Sequence, residues 1–244
     1  MKVNKPKSRY DLNIKNTDRV LDVGCGNAPH PRANVCVDKY EDSNYHRGGD
    51  LKVLKSQEFV NASGENMPFE DKSFDYVICC HVLEHVDDPI KFINELVRVG
   101  KKGYIEIPSL VGEFLVPKEA HKWAILDIDD KLVFVLKDKI GLDKPSVDLG
   151  HLFLTHLPSF SIGYKILLKT YPDILTVRYE WTDNVEVLVN PEDEKYMKYF
   201  NKQWSEVELN ERFPKKGLMK EFKNTVSALC RIVSTYMKSN SEQT

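Results

Sequence analysis

Two carboxylates and two glycines form the pattern in this sequence that is best suited to binding a small molecule. Asp22 lies in a short apolar run typical of a buried parallel strand, and Gly24 and Gly26 follow it closely. Because glycine has no Cβ, the backbone can turn sharply here and approach a ligand. Asp38 closes the next apolar run. Ligands of open α/β sheets bind outside the carboxyl ends of the strands, so these residues predict a binding site at one edge of a sheet.

Further motifs follow in a characteristic order. Downstream of Asp38 the chain contains Asn61-Ala62, Met67-Pro68-Phe69, Phe74-Asp75-Tyr76-Val77-Ile78 and His81-Val82-Leu83-Glu84-His85. This succession resembles the class I S-adenosylmethionine-dependent methyltransferases, in the methyltransferase type 11-like branch that carries Leu-Glu-His after the fourth strand. By motif order and spacing, the resemblance covers residues 18–108 well and residues 150–190 more loosely.

The resemblance implies that S-adenosyl-L-methionine is the cofactor, and it also assigns the contacts. Asp22 and the backbone from Gly24 onward would hold the methionine end, and the Asp38 carboxylate would accept hydrogen bonds from both ribose hydroxyls. Asn61 would lie beside the adenine, where relatives usually carry an acid, and its side-chain oxygen can still accept from the adenine amino group. The expected cofactor-binding set is Asp22, Gly24, Cys25, Gly26, Asp38, Asn61, Ala62, Cys79, Cys80 and His81.

Two other kinds of site compete for the same residues. A nicotinamide-dinucleotide site requires a third glycine that opens a helix, and Pro29 stands there instead. The pattern of His81 and His85 with Glu84 between them matches a zinc-protease site, in which a helix would present both imidazoles to one metal. The segment follows a buried strand, however, and the sequence nominates no third protein ligand. We therefore expect no metal.

The residues at the ends of the fourth and fifth strands limit which types of methyl transfer the chain could catalyse. Cys80-His81-Val82 replaces the Asn/Asp-Pro-Pro-aromatic tetrad used on exocyclic amines, and Ile107-Pro108-Ser109 offers no cysteine nucleophile for cytosine C5. Direct methyl transfer to an oxygen, nitrogen or carbon remains. His121 and His151 are the candidate catalytic residues because histidine titrates near neutral pH. The alternative for each is a surface or capping role, since alignment with the sulfonium alone can supply much of the rate.

Composition limits the acceptor and the compartment. Lys and Arg number 35 against 37 Asp and Glu, for a formal net charge of −2, so no overall basic field is available to hold nucleic acid. No apolar run approaches the ~20 residues needed to cross a bilayer, and the amino terminus lacks the apolar core of a signal peptide. We therefore expect a cytoplasmic enzyme that acts on a small molecule, a saccharide or a lipid head group. The alternatives are a catalytically inactive binding or regulatory module of the same fold and a nucleic-acid methyltransferase.

Short apolar runs separated by polar or helical segments predict a Rossmann-like, doubly wound α/β sheet. The resemblance implies that the sheet has seven strands and that its last strand is antiparallel. Asp88 and Pro89 are suited to cap and open a helix before the fifth strand. Asp38 lies only 16 positions after Asp22, and the intervening segment 28–34 is short and proline-rich, so the first crossover helix is expected to be missing or reduced to a turn. The strands expected from the sequence are 19–23, 34–38, 57–60, 75–79 and 102–107.

Residues 109–150 break the alternation of strand and helix and are expected to form an inserted lid over the acceptor. Within them, two β-rich runs joined by Asp129-Asp130 predict a β-hairpin over 122–136. A helix over 158–171 and a second hairpin over 175–189 follow. We place the methyltransferase domain at 1–190 and a helical extension packed on the body at 191–244, whose last helix has apolar residues at 218, 222, 226, 229 and 233.

Overall fold

The computed structural model describes residues 1–44, 47–143 and 149–241, with side chains to residue 234. It contains ten strands: Lys2–Asn4 (β1), Val20–Val23 (β2), Val35–Asp38 (β3), Glu58–Asn61 (β4), Tyr76–Cys80 (β5), Lys102–Pro108 (β6), Trp123–Ile128 (β7), Lys131–Leu136 (β8), Thr176–Thr182 (β9) and Val187–Val189 (β10). Seven of them form the main sheet, in the order β1-β9-β6-β5-β2-β3-β4. Strands β2 to β6 run parallel, and β9 is antiparallel to β6. The expected seven-stranded α/β sheet with an antiparallel strand is confirmed.

The edge of the sheet beyond β9 departs from expectation. The amino-terminal strand β1 pairs antiparallel with β9, in the place that the second half of a hairpin over 175–189 would have taken. Strand β10 instead pairs in parallel with β8, and the Asn190 side chain accepts a hydrogen bond from Leu136 N at 3.0 Å. The predicted second hairpin is therefore wrong, because the chain turns at Asp183, in a left-handed conformation (φ 62°), and joins another sheet.

Alternating side chains of the main sheet build two separate hydrophobic layers. Leu21, Val23 and their counterparts in β3, β5 and β6 point to a face covered by a helix and by the inserted hairpin. Val20, Cys36 and Tyr76 belong to the opposite face, where Leu12 and Leu51 from irregular segments pack against them. Between β2 and β4 the described residues form turns and bends but no helix. The expected loss of the first crossover helix is confirmed, and it extends to the second crossover.

Helix α1, Pro89–Val99, forms where its capping residues and apolar spacing predict it. The Asp88 side chain accepts a hydrogen bond from Lys91 N at 3.0 Å, which satisfies one of the free amides of the first turn. Pro89 occupies a first-turn position that needs no amide donor. The helix is amphipathic, and its buried residues are Pro89, Phe92, Ile93, Leu96 and Val99.

The inserted hairpin is confirmed and is part of the core. Strands β7 and β8 are joined by the two-residue turn Asp129-Asp130, both residues having positive φ, as in a type I′ turn. With β10 they form a three-stranded sheet. Ile125 and Phe134 belong to the hydrophobic cluster of the main sheet, and Trp123 Nε1 donates to Val86 O at 2.8 Å. These contacts fix the hairpin to the body of the protein.

The remaining helices lie mainly in the second half of the chain. They are Leu110–Leu115 (α2), Leu157–Phe160 (α3), Ile162–Thr170 (α4), Glu194–Asn201 (α5), Glu206–Arg212 (α6) and Leu218–Ser241 (α7), with a π-helical turn at Leu152–His156 before α3. Helix α7 packs against α4 and buries Ala228 and Ile232. The apolar residues singled out in its sequence, at 218, 222, 226, 229 and 233, are exposed. Among the described helices, none is long and apolar enough to span a membrane.

Candidate functional site

A cleft of about 410 Å³ opens at the carboxyl ends of the parallel strands. The ends of β2, β3 and β5 contribute to its lining through Asp22, Asp38 and Cys80. Most of its remaining walls come from the turn after β2, the loops after β3 and β4, and the segment 82–87, and Arg9, Phe92 and Lys122 also line it. This is the edge at which open α/β sheets bind ligands, and it is where the sequence placed the site.

The turn after β2 requires a residue without a side chain at position 24, which is Gly24. Gly24 N and Cys25 N both donate to Val37 O, at 2.7 Å and 3.3 Å, which ties the turn to the end of β3. Gly24 has a φ of +71°, a region that favours glycine, and a Cβ at this position would overlap Val82 Cγ2. The backbone of the turn therefore lies directly against the opposite wall of the cleft.

Asp22 is a buried carboxylate with a cationic neighbour that the sequence motifs did not identify. Its Oδ2 accepts a hydrogen bond from His30 N at 2.6 Å and lies 3.6 Å from Arg9 Nη2. Burial raises the pKa of Asp22 to about 6, although the hydrogen bond from His30 and the charge of Arg9 oppose the shift. Arg9 also donates to Ala28 O at 3.1 Å and lines the cleft. No recognisable motif surrounds Arg9, so only the fold reveals it.

Asp38 organises the loop at the end of β3. Its Oδ2 accepts from Gly26 N at 3.0 Å, and its Oδ1 accepts from Tyr40 N at 2.9 Å. Arg47 Nη1 lies 4.0 Å from Oδ1, and the Arg47 side chain is mostly buried. Each carboxylate oxygen can accept more than one hydrogen bond, so Asp38 retains acceptor capacity toward the cleft.

His81 lies between two carboxylates immediately after β5. Its Nδ1 is 3.5 Å from Glu84 Oε1 and its Nε2 is 3.4 Å from Glu106 Oε1. Burial acts to lower the pKa of His81, but the two carboxylates raise it above its ordinary value, an effect that water partly screens because the side chain is 53% exposed. Its backbone is left-handed (φ 57°), which is uncommon outside glycine. Residues 81–86 form turns rather than a helix, so the helical zinc-protease arrangement of His81 and His85 is not present.

Comparison with known proteins decides the family. Residues 21–105 match the family described as a methyltransferase domain. The matched span runs from β2 into β6 and includes the glycine turn, Asp38 and His81. Residues 21–105 are a class I methyltransferase domain. The family membership suggested by the motif order is thereby confirmed.

The relatives match this chain over part of their length. Demethylmenaquinone methyltransferase of Staphylococcus saprophyticus is 31% identical over 103 residues, which cover 38% of this chain and 44% of that protein. Sterol 24-C-methyltransferase erg6 of Schizosaccharomyces pombe is 33% identical over 105 residues, with coverages of 38% and 28%. The YcgJ protein of Bacillus subtilis is 20% identical with a TM-score of 0.35, over 48% of this chain and 66% of that one. The chain spans less than half the length of the curated relatives it matches.

Most of the expected cofactor contacts line the cleft of the methyltransferase domain. These are Asp22, Gly24, Cys25, Gly26, Asp38, Ala62, Cys80 and His81. Asn61 and Cys79 are absent from the lining. The Asn61 side chain is exposed and reaches Glu41 Oε2 at 3.5 Å, and Cys79 is fully buried in the hydrophobic core. Burial holds the pKa of the Cys80 thiol well above its ordinary value, so it is a neutral group in the cleft wall.

Behind the wall formed by residues 82–87 lies a buried polar network that joins the methyltransferase domain to the insertion. Glu113 accepts from Lys137 Nζ at 2.6 Å through Oε1, and its Oε2 lies 2.6 Å from His121 Nδ1. His121 Nε2 lies 4.0 Å from Glu84 Oε1. Burial acts to raise the pKa of Glu84, but the neighbouring histidines, His81 foremost, hold it below its ordinary value. The network therefore places ionisable side chains in contact with one another in the protein interior.

The two candidate catalytic histidines occupy different surroundings. His121 belongs to the buried network and stacks edge-to-face on His85, with ring centroids 4.7 Å apart. His85 lines the cleft, and so does Lys122 beside His121. His151 is exposed at the start of the helical segment before α3 and does not line the cleft. Of the two, His121 is the one that the fold brings toward the cleft.

Proposed function

We propose that this methyltransferase domain binds S-adenosyl-L-methionine in the cleft and transfers its methyl group directly to a small molecule, a saccharide or a lipid head group. The observation that carries the proposal is the placement of Asp22 and Asp38 at neighbouring strand ends, on either side of the Gly24 turn, in one cleft. A carboxylate at each of these positions suits a ligand with a cationic group at one end and a ribose at the other.

Arg9 completes the charge pattern expected for the methionine end. This end carries an ammonium and a carboxylate group, and Asp22 and Arg9 offer the opposite charge to each, 3.6 Å apart. Backbone groups of Gly24 to Gly26 lie beside them. Ala62, Ser63 and neighbouring residues after β4 form the part of the cleft wall available to the adenine.

The chain would support the transfer mainly by aligning the acceptor with the cofactor. When bound, the sulfonium cofactor supplies an activated methyl group, so holding the acceptor in line with it accounts for much of the rate. His121 is our proposed proton acceptor, acting from behind His85. His151, which is exposed and outside the cleft, is better explained as a surface residue.

Calorimetry tests the cofactor assignment directly. We expect the full chain to bind S-adenosyl-L-methionine with one site, and Asp38→Ala to weaken binding by about 1–3 kcal/mol, or roughly 5- to 150-fold, because ribose hydroxyls lose their acceptor. Asp42→Ala is the matched control, since Asp42 is an exposed acid four positions away. Equal affinity of the Asp38→Ala and control variants would remove Asp38 from the site.

A methyl-transfer screen tests the acceptor class. Because two relatives are named for demethylmenaquinone and sterol substrates, the screen should include a demethylated quinone and a sterol beside saccharides, lipid head groups and small metabolites. Transfer to any member of these classes, lost in Asp38→Ala, is the expected result. Cofactor binding without transfer to any of them would favour the alternative of a binding or regulatory module.

A further inference from the structure

A compact group of metal-binding side chains lies at one wall of the cleft. Glu84, His85 and His121 each bring one nitrogen or oxygen atom to it, and these atoms lie within 4.8 Å of one another. Glu84 is 1% exposed, and the two histidines are partly buried. Two imidazoles and one carboxylate form the donor set of a catalytic zinc site that keeps an open position. His85 lines the cleft, so the group adjoins the space available to a ligand.

Hydrogen bonds prepare both imidazoles to bind a cation. His85 Nδ1 lies 3.0 Å from Ala120 O, and a carbonyl oxygen can only accept, so this nitrogen carries the hydrogen. His121 Nδ1 lies 2.6 Å from Glu113 Oε2, and the same carboxylate also accepts from Lys137. In the neutral form of each ring the lone pair is therefore on Nε2. Ligand histidines in metal sites are usually oriented in this way, by a carbonyl or carboxylate on the other ring nitrogen.

Glu84 supplies a second and independent sign of a cation. Its Oε1 faces His81 Nδ1 at 3.5 Å and His121 Nε2 at 4.0 Å. Its Oε2 is buried and has no hydrogen-bond partner among the described residues. Leaving a buried carboxylate oxygen unpaired is costly, and a bound cation would remove that cost. Two ligand atoms of a tetrahedral ion, each bound at about 2.0–2.2 Å, lie about 3.4 Å apart, so side-chain movements of roughly 1 Å would complete the site.

We propose that Glu84, His85 and His121 bind one divalent transition-metal ion at the acceptor side of the cleft. The expectation of no metal rests on the buried strand that precedes His81 and on the lack of a third protein ligand nominated by the sequence. The fold supplies that ligand from the insertion, as His121, and leaves His81 as a neighbour of Glu84. As a ligand, His121 would no longer act as the proton acceptor, and the ion would take over the activation of the acceptor. Provided that the proposed methyl transfer is correct, an open position on the ion would bind an acceptor oxygen and make its hydroxyl more acidic.

Metal binding by the whole chain tests the proposal without any assay of methyl transfer. Chelator-treated protein is dialysed against Zn²⁺ alone or Mn²⁺ alone, and bound metal is measured by elemental analysis. We expect one ion per chain, with binding weakened at least about 10-fold in Glu84→Gln, His85→Ala and His121→Ala and about 10- to 100-fold in Glu113→Gln, which removes the charge behind His121. His156→Ala, at an exposed histidine, is the matched control and should bind normally.

Several results would overturn the proposal. These are the absence of stoichiometric binding of either ion, unchanged binding in both the His85 and His121 variants, or an equal loss in the His156 control. If the variants fail to fold, the visible spectrum of the unaltered chain with Co²⁺ decides: histidine-ligated, low-coordinate cobalt is expected, and a hydrated-cobalt spectrum contradicts the site. Calorimetry with S-adenosyl-L-methionine on the same samples separates the two ideas, because cofactor binding can fail while metal binding persists.

Discussion

The two walls of the cleft are built in different ways. The first, around Asp22, Gly24 and Asp38, comes from two adjacent strand ends and the turn between them, and its hydrogen bonds join residues close in the chain. The second, around His85, is supported by Glu113 and Lys137, which are contributed by a separate insertion. A wall formed by residues close in the chain can be recognised as a sequence motif, whereas a wall formed by distant segments can be recognised only in the folded structure.

The same difference predicts unequal responses to mutation. Asp38 in the first wall can be changed with effects confined mainly to the ligand, since its close hydrogen-bond partners are backbone amides of the two adjacent loops. Glu113 and Lys137 in the second wall are 1% and 5% exposed and satisfy each other. Removing one partner of such a pair leaves an uncompensated buried charge, so the cost falls on the stability of the whole fold.

The largest effect should therefore come from Glu113→Ala. We expect the free energy of unfolding to fall by about 3–5 kcal/mol, because Lys137 would be left buried without its carboxylate. Chemical denaturation measures the change. The double variant Glu113→Ala with Lys137→Met should recover a large part of the loss. A fall below about 1 kcal/mol in the single variant would show that water reaches the pair and that the two walls do not differ in this respect.

The next largest effect should be a difference in stability loss between alanine variants of the two glycines in the turn, Gly24 and Gly26. Both have positive φ, but a Cβ at Gly24 would overlap Val82, whereas at Gly26 the nearest atoms belong to Arg47, at 3.8 Å. Gly26→Ala should cost about 1 kcal/mol for its backbone conformation, and Gly24→Ala about 2–3 kcal/mol. Gly24→Ala should also lower cofactor affinity, as measured by calorimetry.

The Val82 contact provides the control for this pair. The loss of stability caused by Gly24→Ala in a Val82→Ala background, measured relative to Val82→Ala alone, should be close to that of Gly26→Ala, because the overlap is then removed and only the backbone conformation adds to the cost. Equal losses in the two single glycine variants would mean that the turn moves away from Val82 and that the walls are not in fixed contact.

The pH dependence of cofactor binding should come from the first wall. Burial raises the pKa of Asp22 to about 6, so below that pH the group becomes neutral and can no longer attract an ammonium. Affinity for S-adenosyl-L-methionine should be constant above about pH 7 and fall roughly tenfold by pH 5. Asp22→Asn should bind weakly and lose this dependence. A titration that is equally steep in Asp22→Asn would assign the pH effect to another group.

The same contrast between local and long-range contacts explains which parts of the structure can be predicted from the sequence. The strands around Asp22 and Asp38 lie within one residue of their expected positions, because a buried parallel strand is an uninterrupted apolar run. The hairpin was recognisable from its turn at Asp129-Asp130. The pairing of β10 with β8 was not, because short strands choose partners through tertiary contacts that no local pattern encodes.

The site shows the same limit. Asp22 and Asp38 were predicted from their positions at strand ends, and both line the cleft. Arg9 was missed because it lies in an irregular amino-terminal segment with no motif. His121 was singled out, but its neighbours Glu84 and Glu113 are 37 and 8 positions away and could not be assigned to it. The exposed apolar stripe of α7 shows that amphipathic spacing does not by itself determine which face is buried.

The smallest effects should distinguish two adjacent residues at the start of the hairpin, Lys122 and Trp123. Trp123 is 5% exposed, and its Nε1 donates to Val86 O at 2.8 Å, so Trp123→Phe should lower the free energy of unfolding by about 0.5–1.5 kcal/mol through the lost hydrogen bond.

Lys122 instead lines the cleft and pairs with the exposed Asp87. Lys122→Gln should leave stability within about 0.5 kcal/mol, since exposed ion pairs contribute little. It should change kcat/KM for the acceptor while cofactor affinity stays within about threefold. Denaturation, calorimetry and steady-state kinetics on both variants check this split. Loss of acceptor turnover in Trp123→Phe at unchanged stability would instead indicate that the hairpin contacts the acceptor through its buried side.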